Sequence, residues 1–400
     1  MSAVVLAYGL DYLFNLVAGR LLVPAEFSII VALAGIGQVL VVASRVIQTV
    51  VTRYVAGFQA ESSGDGRTSS FFRVMFRSAW GWGLVAMLVM GAASYPLSRF
   101  LQIDEIGPLL ALAAATLLLV VRPVIGGVLQ GVQQFGSLGV IQVLQAFVRL
   151  LLGALLMWLG WGALGAMLAL PVASLVALIY GWRVLQTRLR PSLPVHHGVT
   201  VPDLFRYSAY AAVGLIGYAL LVNMDAILVK RFFAPEIAGN YGAAVTLGKI
   251  VQFFPLAIIM ILFPKAAQRR AARRDPADVL LPALLVVGLF CAVIAVVYGL
   301  FAELIVRLTV GAAYQVDGRL LGLVGLAMGL LSLANVWLNY FLSAERPFFV
   351  YLVGGAIIIQ AVAMSLFHAE LWHLPAIMSF NGGWLTLAGV LLFVRERRRT

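Results

Sequence analysis

The stretch LLVNMDAILVKRFFAPEIAGNYGAAVTLGKIVQFFPLAIIMILFP, Leu220 to Pro264, decides how the chain is read. It reads as two apolar helices joined by a tight turn at Phe233 to Glu236. Each helix carries one charge, Asp225 in the first and Lys249 in the second. A charge at the centre of a bilayer costs roughly 2.5–3.5 kcal/mol on insertion scales, so such a residue marks either a functional site or a structural ion pair.

The pattern occurs twice. Laying LLVPAEFSIIVALAGIG, Leu21 to Gly37, on FFAPEIAGNYGAAVTLG, Phe232 to Gly248, matches Pro24 with Pro235, Gly37 with Gly248 and Arg20 with Arg231 at one offset of 211 residues. A chain of 400 residues that repeats near its midpoint suggests two homologous halves. Transporter folds are built from such repeats, which places a substrate between the halves.

Composition sets the class. Hydrophobic residues make up 62% of the chain, charged residues only 11%, and the mean hydropathy is +1.01. A soluble globule carries about 25% charged residues, so the chain reads as a polytopic membrane protein. The net charge of +12 resides in short loops between apolar runs, which is a topology signal and excludes a nucleic-acid face. A single cysteine, Cys291, excludes an internal disulfide and a Cys-rich metal site, and its place in an apolar run makes it a packing residue. Met1 to Val17 lacks a basic lead and is interrupted by Asp11 and Asn15, so no cleavable signal peptide is expected there.

Spans of about 20 residues, the length that a hydrocarbon core of about 30 Å requires, fit the chain twelve times. Six precede the polar linker QTRLRPSLPVHHGVTV, Gln186 to Val201, and six follow it. The expected architecture is all-α, with an N-terminal six-helix lobe over residues 1–185, a cytoplasmic linker over 186–201 and a C-terminal six-helix lobe over 202–400. With the amino terminus inside, the inner segments hold eighteen of the 28 basic residues and the outer segments six. That bias places both termini and the linker in the cytoplasm. An even number of spans per half makes the lobes parallel repeats, related by a pseudo-two-fold axis along the membrane normal.

Four basic residues remain inside helices: Arg45, Arg122, Arg149 and Lys249. Only Asp11 and Asp225 lie at comparable depth with the opposite sign. Left unpaired, the four would cost about 10–14 kcal/mol of insertion, so they must face water, counter-ions or an anionic ligand. Their neighbours form stripes: Gln38, Arg45, Thr49 and Thr52 on the second span, Gln142, Gln145 and Arg149 on the fifth, Thr246 and Lys249 on the eighth. Asp11 and Asn15 share a face of the first span, and Ser332, Asn335 and Asn339 share one of the tenth. Such stripes either point at a cavity or glue helices together. Counting along the helices places Arg45 and Arg122 toward the cytoplasmic side, Lys249 near the middle and Arg149 in the outer half, as rungs of a ladder. The planar guanidinium suits phosphate oxygens bidentately.

Other features carry less. His196 and His197 in the linker, and His368 and His373 near Glu370, lack metal-ligand spacing and read as solvated loop residues. Gly126, Gly127 and Gly131, and Gly160, Gly162 and Gly165, read as close helix packing, because no strand precedes them. The run AAQRRAARRDP, Ala266 to Pro276, reads as a short helix on anionic headgroups. No Ser/His/Asp, paired-carboxylate or HExxH constellation is present.

The run RLLVPAEF before the second span, GGVLQGVQQFG from Gly126 to Gly136, and NMDAILVKRFFAPEIAGNYGAA with ILFPKAA after it, resemble the polysaccharide transporter branch of the multidrug, oligosaccharidyl-lipid and polysaccharide exporter superfamily. The chain is similar to O-antigen and exopolysaccharide flippases over essentially its whole length. The resemblance implies a twelve-helix V-shaped fold, alternating access and a polyprenyl-pyrophosphate-linked sugar as cargo. It also implies a bacterial inner-membrane location, with polysaccharide polymerases and glycosyltransferases as candidate partners. Basic residues that bind the pyrophosphate in that family map here, by helix and face, onto Arg45, Arg122, Arg149 and Lys249. Ser28 replaces the usual glycine, and the first span starts almost at Met1, leaving room for a start upstream. The two extra helices of lipid II flippases are absent, which argues weakly against that cargo.

Three function classes follow. A lipid-linked oligosaccharide flippase wants a cationic interior, with Asp11 and Asp225 as candidate proton or sodium sites and no cofactor. A cation-coupled multidrug antiporter of the same fold wants an acidic one. A membrane-embedded polymerase or glycosyltransferase needs a sizeable loop, and the longest, Phe58 to Ser78, is polar and basic with no catalytic constellation. The topology predicts that, in a Cys291→Ser background, cysteines at Ser63 and Ser192 react with an impermeant maleimide only from the cytoplasm and one at Gln102 only from outside. Outside labelling at Ser192 would overturn the two-lobe scheme.

Overall fold

With no water in the bilayer core to satisfy its amides, a spanning chain closes its hydrogen bonds within helices. The computed structural model describes residues 2–61, 66–188, 209–271, 277–343 and 348–397, and among them no strand occurs. The helices are α1 (Ser2–Leu21), α2 (Pro24–Glu61), α3 (Arg67–Leu101), α4 (Gly107–Gly131), α5 (Phe135–Leu156) and α6 (Gly162–Arg188). They continue as α7 (Ala209–Phe232), α8 (Pro235–Ala271), α9 (Ala277–Thr309), α10 (Gly318–Ser343), α11 (Phe348–Leu366) and α12 (His373–Arg397). The twelve expected spans compare with ten stretches among the described residues that are long and apolar enough to cross a membrane. One of these, Phe135–Thr187, contains both α5 and α6; α8 is outside the ten. The chain is a multi-pass membrane protein.

Two compact units divide the chain, Met1–Ala209 and Tyr210–Thr400. The expected linker is helical at Gln186–Arg188, as the end of α6, and its remainder lies outside the described residues. In the N-terminal unit α4 packs against α2, α3 and α6, while α1 packs along α5 and α5 on α6. In the C-terminal unit α10 holds the same central place, against α8, α9 and α12. The most apolar windows of α4 and α10 are each 72% buried, and those of α3 and α9 each 17%. The repeat read from sequence is therefore a repeat of packing roles. Pro24 and Pro235 each open a helix, where a missing N–H costs nothing. A Cβ on Gly37 would meet Leu112 of α4, and one on Gly248 would meet Val324 of α10.

Several sequence readings change. Phe58 to Ser78 is not a loop: Phe58–Glu61 close α2 and Arg67–Ser78 open α3, with residues 62–65 outside the described residues. The apolar face of this segment explains why. Phe71 stacks edge-on to Phe58 at 5.6 Å, and Phe76 lies on Trp182 at 4.8 Å. At 38 and 35 residues, α2 and α3 run to about 57 and 52 Å and overshoot the hydrocarbon core of about 30 Å. Residues 266–271 continue α8 rather than forming a separate helix, and 272–276 lie outside the described residues. Gly160 and Gly162 serve the turn between α5 and α6, with φ of 85° and 50° that a side chain disfavours; Gly162 also lies close against Glu26 of α2, and Gly165 packs against Leu156 of α5.

Gly127 and Gly131 do close the α2–α4 contact. A Cβ on Gly127 would lie 2.8 Å from the Gln48 carbonyl oxygen and 2.7 Å from Val51 Cβ. The gap is sealed by Thr52, whose hydroxyl donates to the Gly127 carbonyl at 3.2 Å, and by Gln48, whose amide donates to Gln130 Oε1 at 3.0 Å. Gly127→Ala is expected to destabilise the purified protein by about 1–3 kcal/mol through overpacking, whereas Gly354→Ala, where nothing lies within 4 Å, should be neutral or stabilising. Thermal unfolding in one detergent checks both.

Candidate functional site

α1 carries Tyr8, Asp11, Phe14 and Asn15 at helical spacing, and the arginines of three neighbouring helices converge on them. Arg149 of α5 donates from Nη1 to Asp11 Oδ1 at 3.1 Å. Its guanidinium carbon lies 4.2 Å from the centroid of the fully buried Phe14 ring, a cation–π contact. Arg45 of α2 donates from Nη2 to the Tyr8 hydroxyl at 3.4 Å. Arg122 of α4 is half-buried and within Coulombic reach of both Asp11 and Arg45. Asn15 turns its amide back onto the Asp11 carbonyl at 2.8 Å.

The ladder expected from sequence is therefore corrected for the N-terminal unit. Arg45, Arg122 and Arg149 gather around one stretch of α1 instead of standing as rungs at separate depths. Helix-by-helix counting locates Cα atoms, whereas a guanidinium acts at the end of a long flexible side chain, and α1 lies along α5 while touching α2. Three guanidinium groups face one carboxylate, a surplus of two positive charges. The Arg149 Nε is buried and makes no hydrogen bond among the described residues. The Asp11 side chain remains 44% accessible and Arg45 is exposed, so the cluster is open to an incoming ligand.

The C-terminal unit holds a different arrangement. Asp225 of α7 is fully buried and accepts a hydrogen bond on Oδ2 from the Tyr241 hydroxyl of α8 at 2.8 Å. Its Oδ1 is buried without a hydrogen bond among the described residues, and Lys249 of α8 is within Coulombic reach. Beside it, Gln360 of α11 donates to the Leu221 carbonyl at 2.8 Å, and Asn381 of α12 donates to Gln360 Oε1 at 3.1 Å. This buried network ties three helices together.

The remaining stripe residues divide. Gln145 donates to Ser174 of α6 at 3.2 Å and acts as interhelical glue. Thr49 and Ser332 bond to their own helix backbones. Asn339 donates to Asn335 Oδ1 and carbonyl, both at 2.9 Å, so that pair is self-satisfied on α10. Gln38 is exposed and Gln142 half-buried, and neither joins the arginine cluster. The solvated-loop reading of His368 is corrected: the ring is half-buried and stacks on Phe232 at 4.1 Å. Tyr8, Phe14 and Tyr241 belong to the sites and were missed. The spacing i, i+3, i+7 of Tyr8, Asp11 and Asn15, and that of Tyr241 two turns before Lys249, would have found two of them.

Residues 1–270 match the polysaccharide biosynthesis protein family, and the chain belongs to it. No curated protein matches the sequence. Among solved structures, the chain is similar to a multidrug resistance MATE family transporter of the MOP superfamily in its inward-facing conformation. That match has a TM-score of 0.80 at 14% identity and covers 97% of this chain and 94% of the other. The lipid II flippase MurJ matches with a TM-score of 0.71 at 11% identity, over 97% and 86% of the two chains. A MOP superfamily transporter from Pyrococcus furiosus matches at 0.63 and 13% identity, over 98% and 93%. The fold is that of the MOP superfamily.

A half-exposed ion pair falls between the about 0–1 kcal/mol of a surface pair and the 3–5 kcal/mol lost on breaking a buried one. Asp11→Asn, which strips the carboxylate from three cations, is expected to lower thermal stability more than Arg149→Gln. The double variant should recover part of the loss, with a coupling of about 1–2 kcal/mol. Additive losses in the thermal unfolding of the four proteins would show that the pair is not coupled.

Proposed function

We propose that the protein is a flippase that moves a polyprenyl-pyrophosphate-linked oligosaccharide from the inner to the outer leaflet of the bacterial cytoplasmic membrane. It does so by alternating access, for surface polysaccharide biosynthesis, with both termini cytoplasmic. The observation that carries the reading is the surplus of two positive charges around α1. A pyrophosphate diester carries two negative charges that hydrocarbon rejects, so its water must be replaced by fixed donors along the path. Charge-assisted hydrogen bonds do this at about 1.5–3 kcal/mol each. Arg149 is suited to be such a donor. Asp11 holds one edge of its guanidinium and Phe14 its face, which fixes the group beside the accessible Asp11 edge of the cluster. Arg45 and Arg122 supply the further positive charge. Membership of a polysaccharide biosynthesis family supports this cargo class, as does the similarity to the lipid II flippase MurJ. The Pyrococcus furiosus transporter is described as having a binding pocket of reverse polarity that suggests a different function, which supports reading function in this fold from the sign of the site.

Coupling belongs to the C-terminal unit in this proposal. Asp225, with Oδ1 unmatched and Tyr241 and Lys249 beside it, is the candidate for a proton or sodium ion, as carboxylates are in transporters. The same residue is what a cation-coupled multidrug antiporter would use, so the two readings separate at the arginines. Arg149→Ala is expected to insert normally yet abolish surface polymer in cells and flipping of a pyrophosphate-linked oligosaccharide in proteoliposomes. Arg149→Lys should restore only part, because an ammonium lacks the planar fork. Wild-type polymer from Arg149→Ala cells at normal protein levels would end the flippase reading, and drug efflux lost only in Asp225→Asn would replace it with the antiporter.

A further inference from the structure

At one end of the C-terminal unit three connections meet. The Phe232 ring at the end of α7 stacks on His368 after α11, and the Gln315 amide before α10 donates to Asn240 Oδ1 of α8 at 3.0 Å. Between the α9–α10 and α11–α12 connections lies a cleft of about 790 Å³, walled by Glu303, Arg307, Tyr314, Asp317, Leu371 and Trp372. The indole of Trp372 is fixed in place: the Arg319 guanidinium carbon lies 3.9 Å from its ring centroid, and its N–H donates to the Glu370 carboxylate. Glu303 and Arg307 stand one turn apart on α9, exposed, with no hydrogen bond or ion pair among the described residues. The Asp317 Oδ1 caps α10 through the Leu320 amide at 2.7 Å. The cleft is thus aromatic, pre-formed and rimmed by polar groups of both signs, within the size range of about 300–1,000 Å³ for ligand sites.

The lining chooses among ligands. Glu303 and Asp317 in the wall and Glu370 beside Trp372, against Arg307 and Arg319, leave it one net negative charge, opposite to the α1 cluster, so it does not attract pyrophosphate. Among the described residues no three metal-ligating side chains converge, and although Val306, Val316, Leu320 and Leu371 add apolar wall, an acyl chain laid there would desolvate Glu303, Arg307 and Asp317 without pairing them. A sugar fits: its C–H face lies against the negative face of an aromatic ring, and its hydroxyls both donate to carboxylates and accept from a guanidinium. The charge count along the chain puts this end outside. We infer that the cleft is a saccharide subsite that takes the glycan of the translocated lipid on the outer side. Its assignment to cargo rests on the flippase reading; its binding chemistry does not.

Calorimetry on the full chain in nanodiscs, with two probes, tests this. One probe is the oligosaccharide repeat released by mild acid from the host's own surface polymer; the other is inorganic pyrophosphate. Trp372→Ala should weaken oligosaccharide binding at least tenfold and leave pyrophosphate binding unchanged. Trp372→Phe should keep most of the binding, and Glu303→Gln, at an exposed position, should weaken it at least threefold. Arg149→Ala should do the reverse. Wild-type protein that does not bind the oligosaccharide, or equal binding by wild type, Trp372→Ala and Glu303→Gln, would overturn the subsite. That last result would leave Trp372 an interfacial anchor. Loss of the pyrophosphate arm alone would strike the flippase reading and leave the saccharide cleft standing.

Discussion

Three guanidinium groups share one carboxylate on α1, and much of the N-terminal unit serves to make that tolerable in a bilayer. Arg149 is met by Asp11 on one edge and by Phe14 on its face. Arg45 is met by a neutral hydroxyl, which takes a hydrogen bond but cancels no charge. The packing that brings the arginines together is itself demanding. α4, which carries Arg122, reaches α2, which carries Arg45, through glycines that admit no Cβ, and those contacts are sealed by Thr52 and the Gln48–Gln130 pair. Charge in the site and glycine in the helix–helix seam are linked: widening the seam separates the cations from the carboxylate that offsets them.

Much of the fold was legible because a bilayer leaves few choices. Apolar runs of sufficient length become helices, and matched prolines and glycines at one offset mark the repeat in the sequence itself. The glycine match was more informative than it looked, since Gly37 and Gly248 prove to be the positions where α2 and α8 touch the central helices α4 and α10. Phe58 to Ser78 was misread for a physical reason. Its polar and basic residues suggested a loop, but Phe71, Phe72 and Phe76 are buried or half-buried along one side, and Arg73 and Arg77 are carried on the same helix.

The site was half legible. Ionisable residues in apolar runs identify themselves by cost, so Asp11, Arg45, Arg122, Arg149, Asp225 and Lys249 could be named from sequence. What could not be read is which of them meet, because side chains of this length erase a turn or more of helical offset. Nor could the neutral partners be read. Tyr8, Phe14 and Tyr241 are ordinary residues for a membrane helix, and only contact with a charge gives them a role. The amide stripes misled in the other direction: Gln145 and the Asn335–Asn339 pair mostly satisfy neighbouring helices or each other.

The repeat also sets two different charge arrangements on corresponding helices. At the offset that pairs Pro24 with Pro235, Phe14 corresponds to Asp225 and Gln38 to Lys249. Where the first helix of the N-terminal unit presents an aromatic face to a cation, the first helix of the C-terminal unit buries a carboxylate. Where the second helix of one unit carries an amide, its counterpart carries an ammonium. The central helices α4 and α10 pack against corresponding neighbours in the two units, so these exchanges alter charge while leaving that frame in place. One unit is left with surplus positive charge and accessible guanidinium groups, suited to an anion that comes and goes. The other is left with a buried acid that a phenol hydrogen-bonds and a nearby lysine offsets in part, suited to a small cation or a proton. In the proposed flippase the arginine cluster would hold the charged headgroup and the buried acid of the other unit the coupling cation, so that each site keeps its own sign within its own copy of the repeat.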